Sequence, residues 1–122
     1  MANFYTDNDD IRFLFRHFDL ETLAELQEEG FRFHDEFDFA PENAPDAVDN
    51  YDRILASLGR ICAEEIEPTA EETDRTGAVL NEDGTMSYTP GIANALKLLG
   101  QAELMGFTLP YRFGGINCPQ FV

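Results

Sequence analysis

Basic residues are scarce in this sequence. Only eight lysines and arginines stand against 24 aspartates and glutamates, which gives a formal net charge of −16, and Lys97 is the only lysine. A surface this negative repels the phosphates of nucleic acids and of anionic lipid headgroups. The composition therefore predicts a protein that binds neither nucleic acid nor membrane surfaces. Two exceptions remain, adaptation to a salty milieu and a DNA mimic. A mimic spreads carboxylates over one face, whereas here acidic and apolar residues share the same segments.

Cysteines and long apolar runs are also few. Cys62 and Cys118 are far apart in the sequence, and two cysteines in a chain of this size do not make a disulfide framework. The opening residues are acidic, unlike the basic region and apolar run of a signal peptide. No apolar run has the length needed to cross a bilayer. We therefore expect two reduced thiols in a cytoplasmic protein.

The first part of the chain predicts two short helices and an aromatic linker. Apolar residues at helical spacing follow Asn8, which can cap a first helix, as can Asp7. A second helix is predicted from about Asp19 to Glu29, where Gly30 can end it. The next segment alternates phenylalanine with polar residues, but its proline and acidic content favours an extended linker whose rings lie against a surface. These rings belong to Phe31, Phe33, Phe37 and Phe39.

The second part predicts a long helix and a hairpin. The helix begins at Asn43 or Asp46, with a proline in its first turn. One apolar stripe continues along it to Ile66, and Pro68 is expected to kink or end it. Residues 79–88 then predict a small hairpin around an Asn-Glu-Asp-Gly turn.

A last helix is predicted from Thr89 and Pro90 until Gly106 ends it. Its predicted buried stripe consists of Ile92, Ala95, Leu96, Leu99 and Ala102. We therefore predict a mostly-α fold, a small helical bundle of about four helices with one short β-hairpin and long aromatic connections. We divide the chain into an N-terminal extension (1–42) and a helical portion (43–122).

No residue pattern predicts catalysis or metal binding. His17 and His34 lack the spacing by which histidines and acids on helices converge on a metal. Four candidate calcium ligands, Asp7, Asn8, Asp9 and Asp10, are contiguous, whereas a calcium loop needs ligands at alternate positions and a glycine at the sixth. The acidic run over residues 64–74 predicts a solvated helix face, because paired carboxylates do acid–base work only where their environments separate their pKa values. We assign no catalytic and no metal-binding residue.

Three segments together resemble the flavin-dependent acyl-CoA dehydrogenases. The segment "LPYRFGGINCP" (109–119) resembles that family's L-P-x-x-[YF]-G-G-x-x-x-P motif, with Phe113 where tyrosine is commoner. The segment "EPTAEETDRTGAVLNEDGTMSYTPGI" (67–92) is similar to the family's proline, Asp-Arg, Gly, hairpin and Thr-Pro-Gly stretch. "DIRF" (10–13) is similar to a D-x-R-F signature in the larger subfamily that includes 3-methylmercaptopropionyl-CoA dehydrogenase-like enzymes. In order, the segments span nearly the whole chain.

The resemblance implies the N-terminal α-helical domain of an enzyme that uses FAD to introduce an α,β double bond into an acyl-CoA thioester. It implies that the flavin-binding β-domain and the catalytic glutamate lie in other parts of such an enzyme, so that this chain is a truncated piece, binds no FAD by itself and is inactive alone. Its partners would be the remainder of that polypeptide or another copy of the chain, and an electron-transfer flavoprotein for the whole enzyme. Contacts near the substrate pocket would come from Leu109, Phe113, Gly114 and Gly115.

A second hypothesis is a self-standing acidic helical module that binds a protein partner. Its contact surface would combine the aromatic run at residues 31–39 with the loop at 109–119. Both segments carry aromatic side chains, which supply large contact areas in protein interfaces.

Overall fold

The computed structural model describes residues 2–122, and the predicted mostly-α bundle with a short hairpin is confirmed. Five α-helices and one antiparallel pair of strands form within the described residues. None of the helices in this range is both long and apolar enough to cross a membrane. The elements are α1 (Asp9–His17), α2 (Leu20–Gln27), α3 (Ala44–Ile61), α4 (Ala70–Thr76), β1 (Val79–Leu80), β2 (Met86–Ser87) and α5 (Pro90–Gln101).

The helices begin where local capping chemistry places them. Four of the five helices are preceded by a capping residue whose side-chain oxygen accepts a hydrogen bond from a backbone N–H of the first turn. These residues are Asn8, Asp19, Asn43 and Thr89. Such bonds satisfy donors that have no partner within the helix. The predicted starts of α1, α3 and α5 are therefore confirmed.

The long helix departs from the predicted pattern before its proline. α3 ends at Ile61, a π-helical turn spans Cys62–Ile66, and a 3-10 turn containing Pro68 spans Glu67–Thr69. The helical path is thus altered several residues ahead of Pro68, and α4 follows directly. The acidic side chains of this stretch are exposed, as predicted for a solvated face.

The predicted extended linker is wrong. Successive positive φ angles at Glu29, Gly30 and Phe31 reverse the chain after α2, and a 3-10 helix follows at Arg32–Asp35. Turns then lead to α3. Glycine has no Cβ to clash in the left-handed region, so Gly30 adopts this backbone conformation without strain. Its neighbours Glu29 and Phe31 adopt the same conformation. The segment is folded back upon itself rather than extended.

The prediction of a buried stripe on α5 is also wrong. The helix ends at Gln101, Glu103 adopts a left-handed conformation, and only a 3-10 turn (Leu104–Gly106) extends towards the predicted end. No residue of α5 is fully buried. Leu96 is exposed, because α3 and α4 cover only part of the helix surface.

The buried core lies where α2 crosses α3. Ala24 of α2, Ala47 and Tyr51 of α3, and Cys118 form one buried cluster, against which half-buried apolar side chains pack. Small residues on both helices let the two backbones approach. The candidate functional site described in the next subsection adjoins this core, because Tyr51 belongs to both.

The N-terminal segment packs against α3 at Gly59. The N–H of Phe4 donates to the carbonyl of Gly59 (3.0 Å), and the side-chain amide of Asn3 donates to the carbonyl of Ala56 (2.9 Å). A Cβ added to Gly59 would overlap the side chain of Asn3 and the backbone of Tyr5. The absence of a side chain at Gly59 is therefore what permits this contact.

Replacing Gly59 by alanine is expected to lower the free energy of unfolding by about 1–2 kcal/mol, because overpacking outweighs the gain in helix propensity. Gly100→Ala is the matched control, since that helical glycine has open space around its Cβ position. Gly100→Ala should raise stability by up to about 1 kcal/mol. Urea denaturation of both variants measures the difference, and equal effects would contradict the packing argument.

Candidate functional site

The segment Leu109–Pro119, here called the Gly-Gly loop, is closed by its own backbone. A 3-10 turn at Tyr111–Phe113 leads to Gly114 in the left-handed region, and the N–H of Asn117 then donates to the carbonyl of Leu109 (2.9 Å). Gly115 lies where the two arms meet, and a Cβ there would overlap that same carbonyl. The second glycine is therefore required by the closure of the loop.

Asn117 joins the Gly-Gly loop to the end of α2. Its side-chain oxygen accepts from the amide of Gln27 (3.0 Å), while its side-chain amide donates to the carbonyl of Gln27 (3.2 Å) and to Glu28 Oε1 (3.1 Å). The φ angle of Asn117 is positive, a conformation that asparagine adopts more readily than most residues. The side chain of Asn117 thus makes three hydrogen bonds, one accepted and two donated, that hold the loop against the end of α2.

Glu28 is a buried carboxylate at the centre of this junction. Glu28 is the residue directly after α2, and only 1% of its surface is exposed. Oε1 accepts from the hydroxyl of Tyr111 (2.9 Å) as well as from Asn117, whereas Oε2 is buried without a hydrogen-bond partner among the described residues. Within residues 2–122, no lysine, arginine or histidine forms an ion pair with it.

Tyr111 is the hub of an aromatic cluster. The rings of Phe33, Phe37 and Phe39 lie 5.7, 5.3 and 5.5 Å from its ring, centroid to centroid. These separations and the tilted or edge-on angles are those favoured by the ring quadrupoles. Three of the four linker aromatics therefore lie against the Gly-Gly loop, whereas Phe31 packs against the buried core.

A cavity of about 570 Å³ opens beside the buried carboxylate. A volume in this range accommodates a small molecule. Exposed residues stand at its mouth, and buried ones form its floor. The lining that matters chemically comprises Glu28, Phe39, Tyr51, Tyr111, Gly114 and Gly115.

Burial sets the electrostatics of the floor. It raises the pKa of Glu28 above its ordinary value, although the hydrogen bonds from Tyr111 and Asn117 act in the opposite direction. Burial, and then the charge of Glu28, raise the pKa of Tyr51 and of Tyr111, and raise that of the Cys118 thiol to about 12. The phenols and the thiol around Glu28 are consequently neutral, so Cys118 is not a nucleophile at physiological pH.

Glu28 should make the stability of the fold depend on pH. Because its pKa is raised on folding, its favourable contribution is present below the ordinary carboxyl pKa and is lost as pH rises through the raised value. The free energy of unfolding of the natural chain should therefore fall relative to that of Glu28→Gln between mildly acidic and neutral pH. The groups facing Glu28 are Tyr51, Tyr111 and Cys118, all protonated in this window.

Urea denaturation at a series of pH values measures this difference. Glu25→Gln is the matched control, because it removes an exposed carboxylate from α2, the helix that Glu28 directly follows, and corrects for the change in net charge. A stability difference between the natural chain and Glu28→Gln that stays constant across the pH series would contradict the prediction.

The four residues predicted from the resemblance are only partly brought together. Gly114 and Gly115 line the cavity. Leu109 and Phe113 belong to the same loop but do not line the cavity; 49% and 65% of their surfaces are exposed. Their role in substrate contact stays a prediction.

The histidines and acidic segments lie apart from this site. His17 stacks on Phe13, and Nδ1 of His34 lies 2.8 Å from the carbonyl of Ala40. Across the described residues, no three histidine, cysteine, aspartate or glutamate side chains are grouped so as to hold a metal. Both cysteines carry free thiols.

The cavity does not suit a flavin dinucleotide. FAD carries two phosphates, whereas this cavity presents the carboxylates of Glu28 and Glu103. Its one lining cation, Arg53, is exposed and already pairs with Asp49. Phosphates would therefore be repelled here, and we derive no reaction step through a flavin held by this chain.

Sequence reasoning missed the residues at the floor of the cavity. Glu28 lies within an acidic stretch, and the composition of that stretch is typical of a solvent-facing helix end. The available signal was its spacing, because Leu20, Ala24 and Glu28 recur every four residues and all three are buried. Tyr51 lies within the long helix that the sequence predicted, but nothing local indicated that it would line a cavity together with Glu28.

Comparisons with protein families, with curated proteins and with solved structures found no match to this chain.

Proposed function

We propose that this chain serves as the N-terminal helical part of a flavin-dependent acyl-CoA dehydrogenase of the larger subfamily. The observation that carries the proposal is the order of its three motifs along distinct elements. "DIRF" lies in the first turns of α1, the proline-to-glycine stretch spans α4, the hairpin and the start of α5, and the Gly-Gly motif forms the closed loop after α5.

Exposed apolar surface supports the same proposal. Large apolar side chains on the outer faces of α1 and of the hairpin have no cover from the described residues, and surfaces of this kind mark interfaces with further polypeptide. The exposed side chains are Ile11, Phe13 and Leu14 on α1, and Val79, Leu80, Met86 and Tyr88 in the hairpin region. In the proposed enzyme, the remainder of the polypeptide or a second copy would cover them.

The proposed reaction of the whole enzyme is α,β-dehydrogenation of an acyl-CoA thioester in the cytoplasm, with FAD as oxidant and an electron-transfer flavoprotein as acceptor. The role of this chain would be to supply scaffold and, through Leu109, Phe113, Gly114 and Gly115, one wall near the substrate pocket. The closed Gly-Gly loop suits that role, because its backbone geometry is fixed independently of any ligand.

The test uses the natural polypeptide that contains this sequence, recovered from its source with antibodies raised against the chain. We expect the visible absorbance of a bound flavin, and anaerobic bleaching when a straight-chain acyl-CoA is added. Recombinant residues 1–122, mixed with FAD and the same thioester, are the control and should give no bleaching. A colourless natural protein that releases no flavin on denaturation would overturn the proposal.

A self-standing interaction module is the second candidate. It is favoured by one observation: Phe39 and Phe113, from the two segments predicted to bind a partner, remain 62% and 65% exposed. The intact mass of the natural polypeptide separates the candidates. A mass equal to the 13.8 kDa of these residues would favour the module, and a several-fold larger mass would favour the enzyme.

A further inference from the structure

The buried carboxylate in the cavity has one satisfied oxygen and one unsatisfied oxygen. Glu28 Oε1 accepts two hydrogen bonds, whereas Oε2 accepts none from the described residues. The hydroxyl of Tyr51, which is 4% exposed, also lacks a partner in this part of the chain. Buried polar groups without partners are costly, and Glu28 and Tyr51 both belong to the lining of one cavity, so together they indicate a ligand that completes them.

The surroundings of Glu28 favour a cation as that ligand. The carboxylate has no basic partner within residues 2–122, and the rings of Phe39, Tyr51 and Tyr111 line the same cavity. Aromatic faces attract ammonium groups, especially where water is excluded. The net charge of −16 further raises the local concentration of cations and lowers that of anions.

The unsatisfied atoms also select among cations. A primary ammonium group has three N–H donors, so a single nitrogen can serve a carboxylate oxygen and a phenol oxygen together. A quaternary ammonium group has no N–H and could use only the aromatic rings. The apolar side chains of Ile54 and Ile116, which also line the cavity, suit an aliphatic body attached to the ammonium group.

We propose that this cavity binds a small primary alkylammonium ligand, with its nitrogen between Glu28 and Tyr51 and its aliphatic chain against the isoleucines. This inference goes beyond the proposed dehydrogenase role and does not rest on it. An acyl-CoA carries phosphates and has no ammonium group, so the proposed ligand differs in chemical class from that substrate.

The experiment titrates the chain with four probes of similar size: n-butylammonium, n-butanol, butyrate and tetramethylammonium. Binding is followed through the backbone amide NMR signals of Gly114 and Gly115, which line the cavity, at high enough ionic strength to screen surface charges. We expect n-butylammonium to bind at least about tenfold more tightly than n-butanol, because charge-assisted hydrogen bonds are the stronger kind. Butyrate should not bind, and tetramethylammonium should bind more weakly than n-butylammonium.

Variants locate the binding. Glu28→Gln keeps the size and the hydrogen-bonding shape of the side chain but removes its charge, so it should weaken n-butylammonium binding at least about tenfold. Tyr51→Phe should weaken it several-fold. Glu103→Gln is the matched control, because it removes the other carboxylate that lines the cavity, from an exposed position, and it should leave the affinity within about threefold.

Three results would overturn the proposal: n-butylammonium and n-butanol binding equally, no probe binding, or Glu28→Gln binding the amine as tightly as the natural chain. The comparison of probes on the natural chain stands even if a variant fails to fold. Failure here leaves the flavin test of the natural polypeptide unaffected, so the two proposals fail separately.

Discussion

Replacement of Tyr111 by alanine is expected to lower the free energy of unfolding by about 4 kcal/mol. The residue is 7% exposed, its ring contacts three phenylalanines from the segment before α3, and its hydroxyl donates to the buried carboxylate of Glu28. Truncation removes all of these contacts and leaves a cavity that the backbone of the loop cannot close.

Tyr111→Phe separates the ring from the hydroxyl. It keeps the aromatic contacts and removes only the hydrogen bond to Glu28, so the expected loss is about 1 kcal/mol. Urea denaturation followed by circular dichroism measures both variants. If Tyr111→Phe were as destabilising as Tyr111→Ala, the hydrogen bond and not the aromatic cluster would dominate, and the packing account would be wrong.

Replacement of Gly115 by alanine is the second large effect, with an expected loss of about 3 kcal/mol. Its Cβ would overlap the carbonyl carbon and oxygen of Leu109, which are backbone atoms and cannot rotate away as a side chain can. Relief requires the two arms of the loop to separate. Separation would break the hydrogen bond from Asn117 to Leu109 and loosen the bonds that Asn117 makes to α2.

Gly114→Ala is the matched control for the neighbouring glycine. A Cβ there meets nothing within 4 Å, but the positive φ of 83° is unfavourable for alanine, so a loss of about 1 kcal/mol is expected. Thermal and urea unfolding of the two variants, measured side by side, give the comparison. A larger loss for Gly114→Ala than for Gly115→Ala would refute the assignment of the steric contact to Gly115.

Helix starts and the hairpin could be predicted because their causes are local. Asn43 caps α3 with its own side chain, and Thr89 does the same for α5. The predicted hairpin also formed, because the Asn81-to-Gly84 turn supplies the hydrogen bonds and the positive φ that close it. Such features depend on residues within a few positions of one another.

The candidate site could be predicted only in part, because its contacts join distant segments. The resemblance pointed to Gly114 and Gly115, which line the cavity, but no local pattern indicated that Tyr111 would contact the linker aromatics. The four-residue spacing that places Glu28 with Leu20 and Ala24 was outweighed by its acidic neighbours. The burial of α5 was misjudged for a related reason. Its apolar spacing predicted burial, but burial depends on what α3 and α4 can cover.

The hydrogen bonds at Glu28 have a consequence for the order of folding. They join residues 83 and 89 positions apart, so the partners of the carboxylate are synthesised long after α2 has left the ribosome. Closing so long a loop carries an entropic cost that local helices do not bear, and contacts of this range form late. During synthesis, Glu28 therefore stays hydrated and charged until these partners have been made. Only when the Gly-Gly loop has been synthesised can Glu28 exchange water for Tyr111 and Asn117, which makes this junction a late step in the assembly of residues 2–122.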